Sequence, residues 1–379
     1  MSKPGVVNES LIAGVLTAYT DAEERLIALM AAKTRQGLDA PEWAERRLTV
    51  VQEYRKQAER IAQTAAGRAA DAAAASIQVA YNTGHVDAVA ELSEMLRIPD
   101  TRDLGGQVDL QAMGRLQAEA RTLAMAPAAG MVEQTTAVLN TITMEAVAPA
   151  MLGADTRRSM AQQALDRMAD RGITGFTDRA GRRWALDGYV EMAMRTQMTN
   201  ATIAGHTARL QQFGHDLVVV SAHQHGCGLC APFEGKVLSL SGTVVGAVTR
   251  PSLLDDEPVT VQVYATLDEA RERGLGHPNC SHVWAAWQPG MTTLLEGGGP
   301  YDPAMYKAQQ DLRYLERGVR RWKRRAEAAL DDDTKRIARS KVREWQGRIR
   351  AHVDATGVPR LRHREQIGHG RRIGRGTPR

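Results

Sequence analysis

All three cysteines of the chain lie in two short segments, each flanked by histidines. The first runs His223-Gln224-His225-Gly226-Cys227-Gly228-Leu229-Cys230, and the second His277-Pro278-Asn279-Cys280-Ser281-His282. A Cys-x-x-Cys pair sets two thiolates on one tight turn, within reach of a single ion. Tetrahedral zinc takes Cys and His ligands at about 2.0 to 2.3 Å. Cys227, Cys230 and Cys280, with either His277 or His282, complete a Cys3His set. A fold that closes such a set must bring together positions about fifty residues apart.

Three cysteines cannot all pair within one chain, so a reducing compartment suits them better than a disulfide framework. A redox role for the Cys-x-x-Cys pair is disfavoured, because no thioredoxin-like βαβ pattern surrounds it. Residues 1–5 lack the apolar stretch of a signal peptide. No apolar run approaches the roughly 20 residues that span a bilayer. The chain is expected to be soluble or part of an assembly, with no membrane partner.

Aromatic residues make up only 4% of the 379 residues, and alanine is abundant. That mix suits helices packed closely through small side chains. From Leu11 the residues Leu11, Val15, Ala18, Ala22, Leu26 and Leu29 fall on one helical face, with Ser10 as a cap. Pro41 and Trp43 open a second helix that runs through Ala65–Tyr81 and stops at Asn82-Thr83-Gly84. A loop over 99–106 follows. Helix then resumes from Val108 to Ala148, with breaks near Pro127 and Gly130.

The spacing predicts a helix over 156–171 ended by Gly172, and a hairpin around Ala180-Gly181. Another helix runs from Leu186 to Phe213, with Gly214 as its stop. The β-branched run Leu217–Ser221 reads as a buried strand. Further strands are expected at 236–238, 260–263 and 283–287, a loop at 242–258, and a short helix at 267–273 ended by Gly274. From Tyr306 to His352 the chain is a charged helix or helical pair. Leu312, Leu315, Val319 and Trp322 form its apolar stripe, and Asp331-Asp332-Asp333 marks a break and a restart.

The net charge is only +5, yet the twenty residues from Arg360 carry seven arginines against one acid, Glu365. Such a tail is either solvated or attracted to a polyanion. Arg360, Arg362, Arg364, Arg371, Arg372 and Arg375 are the candidate nucleic-acid contacts.

With four good ligands at hand, a closed structural metal site is preferred to a catalytic site with an open position. Glu234 is a candidate base, but a lone glutamate near a turn reads first as a solvated surface group. His223, at a strand end, reads as a member of a polar network. The zinc-deaminase pattern, a phosphate-binding loop and a helix-turn-helix are all missing from the sequence.

Several motifs together resemble those of tailed-phage minor capsid proteins. The resemblance is to the phage minor capsid protein 2 family and its wider relatives of the Mu protein F type. Its carriers are Asp178-Arg179-Ala180-Gly181-Arg182-Arg183-Trp184 with Tyr189, Glu191-Met192 and Arg195-Thr196. Next come Val220-Ser221-Ala222-His223, Cys227-Gly228-Leu229-Cys230 and Glu234-Gly235-Lys236-Val237. The last are His277-Pro278-Asn279-Cys280-Ser281-His282, Trp287-Gln288-Pro289-Gly290 and the helix Glu316–Lys323. Ser281 stands where the family commonly has arginine.

The resemblance implies a non-enzymatic virion component inside the shell, near the portal vertex. Its implied partners are the portal protein, other head proteins and packaged double-stranded DNA, with no small-molecule substrate. A zinc-dependent hydrolase or nuclease packaged in the virion is the alternative. The expected architecture is α+β. It comprises a helical region (1–155), a zinc-stapled α+β domain (156–300), charged helices (301–357) and a basic tail (358–379).

Overall fold

The computed structural model describes residues 9–38, 43–98, 106–147, 154–173, 176–177, 183–184, 186–222, 228–252, 255, 257–278, 280, 282–289 and 302–367. They form an α+β protein of long helices and a small sheet. Helices α1 (Glu9–Leu38), α2 (Trp43–Leu96), α3 (Leu110–Met125), α4 (Pro127–Val147) and α5 (Ala154–Arg171) precede a hairpin of β1 (Phe176–Thr177) and β2 (Arg183–Trp184). Next come α6 (Leu186–Gln212), β3 (Leu217–Val220), β4 (Val237–Ser239), β5 (Gly246–Pro251), β6 (Pro258–Thr266), α7 (Leu267–Glu272) and β7 (Trp284–Ala286). Helices α8 (Pro303–Glu327) and α9 (Asp332–Thr356) complete the fold, followed by a 3-10 turn at Arg362–Glu365. The chain divides into two compact units. One comprises Met1–Ile12, Asp71–Leu123 and Met192–Tyr306; the other comprises Ala13–Ala70, Ala124–Glu191 and Lys307–Arg379.

In the first unit the strand order is β5-β6-β4-β3-β7, with β4 and β6 parallel and the other neighbours antiparallel. All four residues of β3 are buried, which explains its unbroken apolar sequence. Val218 and Val220 face a core with Leu92 of α2, Ile203 and Leu210 of α6, Phe233 and Trp284. Leu217 and Val219 face the opposite side with Val237, Val261, Val263 and Trp287. Glu91 of α2 accepts the Ala286 backbone N–H of β7 at 2.7 Å and bonds His206 of α6 at 3.0 Å.

Helix α2 does not stop at Asn82-Thr83-Gly84 but continues to Leu96. Gly84 is there for contact: a Cβ on it would lie 1.9 Å from the Thr202 carbonyl oxygen of α6. Gly205 of α6 reciprocates, since its Cβ would lie 2.1 Å from the Tyr81 oxygen. Two backbones meet where only hydrogen fits. The expected loop at 242–258 contains strand β5, which is mostly exposed and so carries no apolar alternation. The helix over 108–148 breaks once, before Pro127, and Gly130 lies inside α4. Ser10 falls inside α1 rather than capping it. Pro41 and the turn at 178–182 lie outside the described residues.

In the second unit, Gly172 ends α5 in the left-handed region, with φ +70°. Arg324 of α8 donates to the Ala169 carbonyl at 2.9 Å and lies 3.6 Å from buried Glu23 of α1. Asp331 caps α9 by accepting the Thr334 N–H at 2.7 Å, and Gly357 closes it at φ +71°. Helices α8 and α9 lock through Trp345: a Cβ on Gly318 would lie 1.9 Å from its ring. Tyr314 of α8 packs against the same ring, with centroids 5.7 Å apart.

Candidate metal centre

Two returns of the chain build the site. Between β3 and β4 stands a 3-10 turn at Ala231–Phe233, with Cys230 immediately before it. The return is pinned by Val220 N–H to the Lys236 carbonyl at 3.1 Å and Gly235 N–H to the Val220 carbonyl at 3.0 Å. Helix α7 is started by a capping box between Thr266 and Glu269. It ends at Gly274 with φ +109°. The chain then turns at 277–280, where the Cys280 N–H donates to the His277 carbonyl at 2.8 Å, and leads into β7.

These returns bring Cys230, His277 and Cys280 together, with one ligand atom of each within 4.8 Å of the others. The two sulfurs are 3.5 Å apart. Two thiolates on one tetrahedral zinc at about 2.3 Å would stand about 3.8 Å apart, so the spacing suits an ion. His277 Nδ1 donates to the Pro278 carbonyl at 2.8 Å, which puts the ligating lone pair on Nε2. The residues present fit a soft divalent ion. Cys227, His223 and His225 lie outside the described residues.

His282 does not join that group of three. Its Nδ1 lies 3.4 Å from Cys280 Sγ, its backbone N–H donates to the same sulfur at 3.4 Å, and its Nε2 is 2.6 Å from Glu234 Oε1. Glu234 is not a solvated surface group: its side chain is 6% exposed and that of His282 3%. The hydrogen bond from Cys230 holds the Cys280 thiol well below its ordinary range, aided by His282 and opposed by burial. Burial pulls His282 down, but the Cys280 sulfur and the Glu234 carboxylate outweigh it and hold the imidazole above its usual value. Nothing in the sequence marks the Glu234–His282 contact, because the two residues meet only when β3, β4 and β7 are in register.

A Cys-His-Glu series also suggests a thiol nucleophile, but Cys280 is 5% exposed and its sulfur faces Cys230. A nucleophile needs access to its substrate.

The basic candidates divide. Arg360 pairs with Glu365 through two bonds, at 2.6 and 2.9 Å, and Arg364 pairs with Glu191 at 2.7 Å. Glu365 and Ile367 are buried, so residues 358–367 are packed and not a solvated tail. Arg362 is exposed, and Arg371, Arg372 and Arg375 lie outside the described residues. A row that the sequence reading passed over runs along α9: Arg336, Arg339, Arg343 and Arg350 are all exposed. Their spacing keeps them on one side of the helix for about 21 Å. Arg336 pairs with exposed Asp333 at 2.8 Å. The other three enter no ion pair among the described residues, although Arg339 and Arg343 edge a cleft that also contains Glu24 and Glu327.

Among the described residues no helix is long and apolar enough to cross a membrane. A family model described as phage minor capsid protein 2 matches residues 8–354. A "Structural protein" of Lactococcus phage LL-H is 28% identical over 190 residues, covering 48% of each chain. The chain thus spans about half the length of the curated relative it matches. No solved structure matches it.

Proposed function

The chain belongs to the phage minor capsid protein 2 family, and from that premise we propose a structural protein of a tailed-phage head that sits inside the shell near the portal vertex. In this reading it assists head assembly alongside the portal protein and other head proteins, and it touches packaged double-stranded DNA. A zinc ion held by the Cys/His cluster acts as a folding staple, joining the return after β3 to the turn before β7.

The observation that carries the staple is the burial of Cys230 and Cys280 within the same core as Phe233 and Trp284. A metal held there links two segments of core and contributes its binding energy to folding. The test is to measure bound zinc in purified protein and to substitute Cys227 and Cys280 separately. Loss of folding and of incorporation into particles supports the staple. An intact fold that loses a DNA-cleaving activity would instead support the packaged hydrolase, whose supports are His223, His225, Glu234 and the basic tail.

DNA contact is supported by the α9 arginine row and by the arginines beyond Ile367. A phosphate backbone needs only a row of cations of this kind, with no apolar anchor. Each cation that neutralises a phosphate contributes about 0.9 to the slope of log affinity against log salt. Replacing Arg339, Arg343 and Arg350 by Gln is expected to lower that slope by about 2 to 3. An unchanged slope with the fold intact rejects the row as the contact.

A further inference from the structure

We propose that His282 and Glu234 supply no metal ligand but form the outer support of the site, leaving His277 as its imidazole ligand. Resting on the metal reading above, this assigns a role to two buried residues that the ligand set does not need. Cys227-x-x-Cys230 and His277-x-x-Cys280 share one spacing in the sequence and together offer four donors of the kind zinc takes. Three of the four are described, and they already converge.

His282 stands outside that convergence with both ring nitrogens engaged. Its backbone N–H donates to Cys280 Sγ at 3.4 Å, and its ring Nδ1 lies 3.4 Å from the same sulfur. A thiolate in a core is cut off from water and must take its hydrogen bonds from the protein. Cys280 receives them from the residue two places on, whose backbone is already fixed by its entry into β7. Glu234 completes the arrangement from the other side. Its carboxylate holds Nε2 at 2.6 Å, so the ring cannot swing away from the sulfur. Carboxylates behind imidazoles commonly tune metal sites in this way, and their loss typically costs 10–100-fold in metal affinity. Here the imidazole is itself one step removed from the ion, so Glu234 and His282 are both positioning residues.

The test uses the full chain, with Co2+ alone as the probe. Its visible absorption reports coordination number, and its sulfur-to-cobalt charge-transfer band reports the thiolates. Wild type is expected to bind one equivalent with a tetrahedral spectrum. His282→Ala and Glu234→Ala should keep that stoichiometry and tetrahedral envelope, shift the charge-transfer band, and weaken affinity about 10–100-fold in competition with a chelator. The double variant should be no weaker than His282→Ala, because Glu234 acts through the ring. His277→Ala should lose the tetrahedral envelope.

If His282→Ala does not fold, Glu234→Gln, which preserves size, decides the question. A tetrahedral spectrum with affinity between wild type and Glu234→Ala upholds the support role, and a changed coordination number overturns it. The proposal also fails if His282→Ala loses the tetrahedral envelope while His277→Ala keeps it. Unchanged affinity in both His282→Ala and Glu234→Ala sinks it as well. A wild-type chain that takes up neither cobalt nor zinc overturns the metal reading itself, which is a separate result.

Discussion

The sheet of the first unit and the α8–α9 pair of the second are held together in opposite ways. In the sheet, β3 takes its neighbours from β4 and from the distant β7, and the segments are joined at a cluster of sulfurs and imidazoles. In the helical pair, sequence neighbours fold back on each other across a capped turn, and one indole seated over a glycine fixes their register. The first arrangement depends on groups far apart in the chain, the second on local geometry. Damage should therefore spread differently. Losing a distant link should release a whole sheet, whereas losing a local one should cost only the contact removed.

The largest effect expected is from breaking the cluster. If the cluster holds zinc as proposed, Cys280→Ala or a chelator should remove most of the folding energy of the first unit, since structural zinc carries on the order of 10 kcal/mol. Near-ultraviolet dichroism from Trp284 and Trp287 should collapse while much of the far-ultraviolet helical signal survives. Coincident loss of both signals would erase the contrast drawn above.

In the helical pair, Trp345→Ala should cost about 3 to 5 kcal/mol as a truncation in a packed contact. Urea unfolding of the full chain measures it, and a cost below about 1 kcal/mol would show that the register is set elsewhere. Gly84→Ala tests the backbone contact of α2 with α6. Alanine favours a helix by about 1 kcal/mol over glycine, yet here overpacking should make the variant about 1 to 3 kcal/mol less stable. A stabilised variant would mean that the helices do not meet there.

The smallest effect concerns Glu316 in α8. Burial pushes its carboxyl up to about 7, against the nearby Arg364 and Arg320. Its Oε1 has no hydrogen-bond partner among the described residues. An acid whose pKa is raised on folding holds its proton more tightly in the native state. Stability therefore falls as pH rises from about 4.5 to about 7, and the cost persists above that. Glu316→Gln should stabilise the chain at pH 8 and change it by almost nothing at pH 4. An equal gain at both pH values would point to packing rather than charge.

Local devices were legible in the sequence. Gly172, Gly214 and Gly274 all stop helices through positive φ, and Asp331 caps α9 as acids at a restart suggest. The apolar stripe of α8 and the buried strand β3 followed from periodicity alone. What the sequence hid were features that need a partner. Gly84 looks identical as a stop or as a contact until α6 lies against it. Strand β5 pairs along an exposed edge and leaves no apolar pattern. Glu234 reads as a surface acid until β7 brings His282 to it. The arginines at 360 and 364 look like a free tail until Glu365 and Glu191 are seen to meet them.

The separation of the two sulfurs also sets a clock. Cys230 and Cys280 are 50 residues apart in the chain, and synthesis runs at about 5 to 20 residues per second. Cys230 is therefore made roughly 3 to 10 s before Cys280. Over that interval β3 has no β7 beside it, and their pairing waits until the 277–280 turn and β7 have been made. Slowing translation just before that turn would lengthen the vulnerable interval and lower the yield of native chain without altering a single residue.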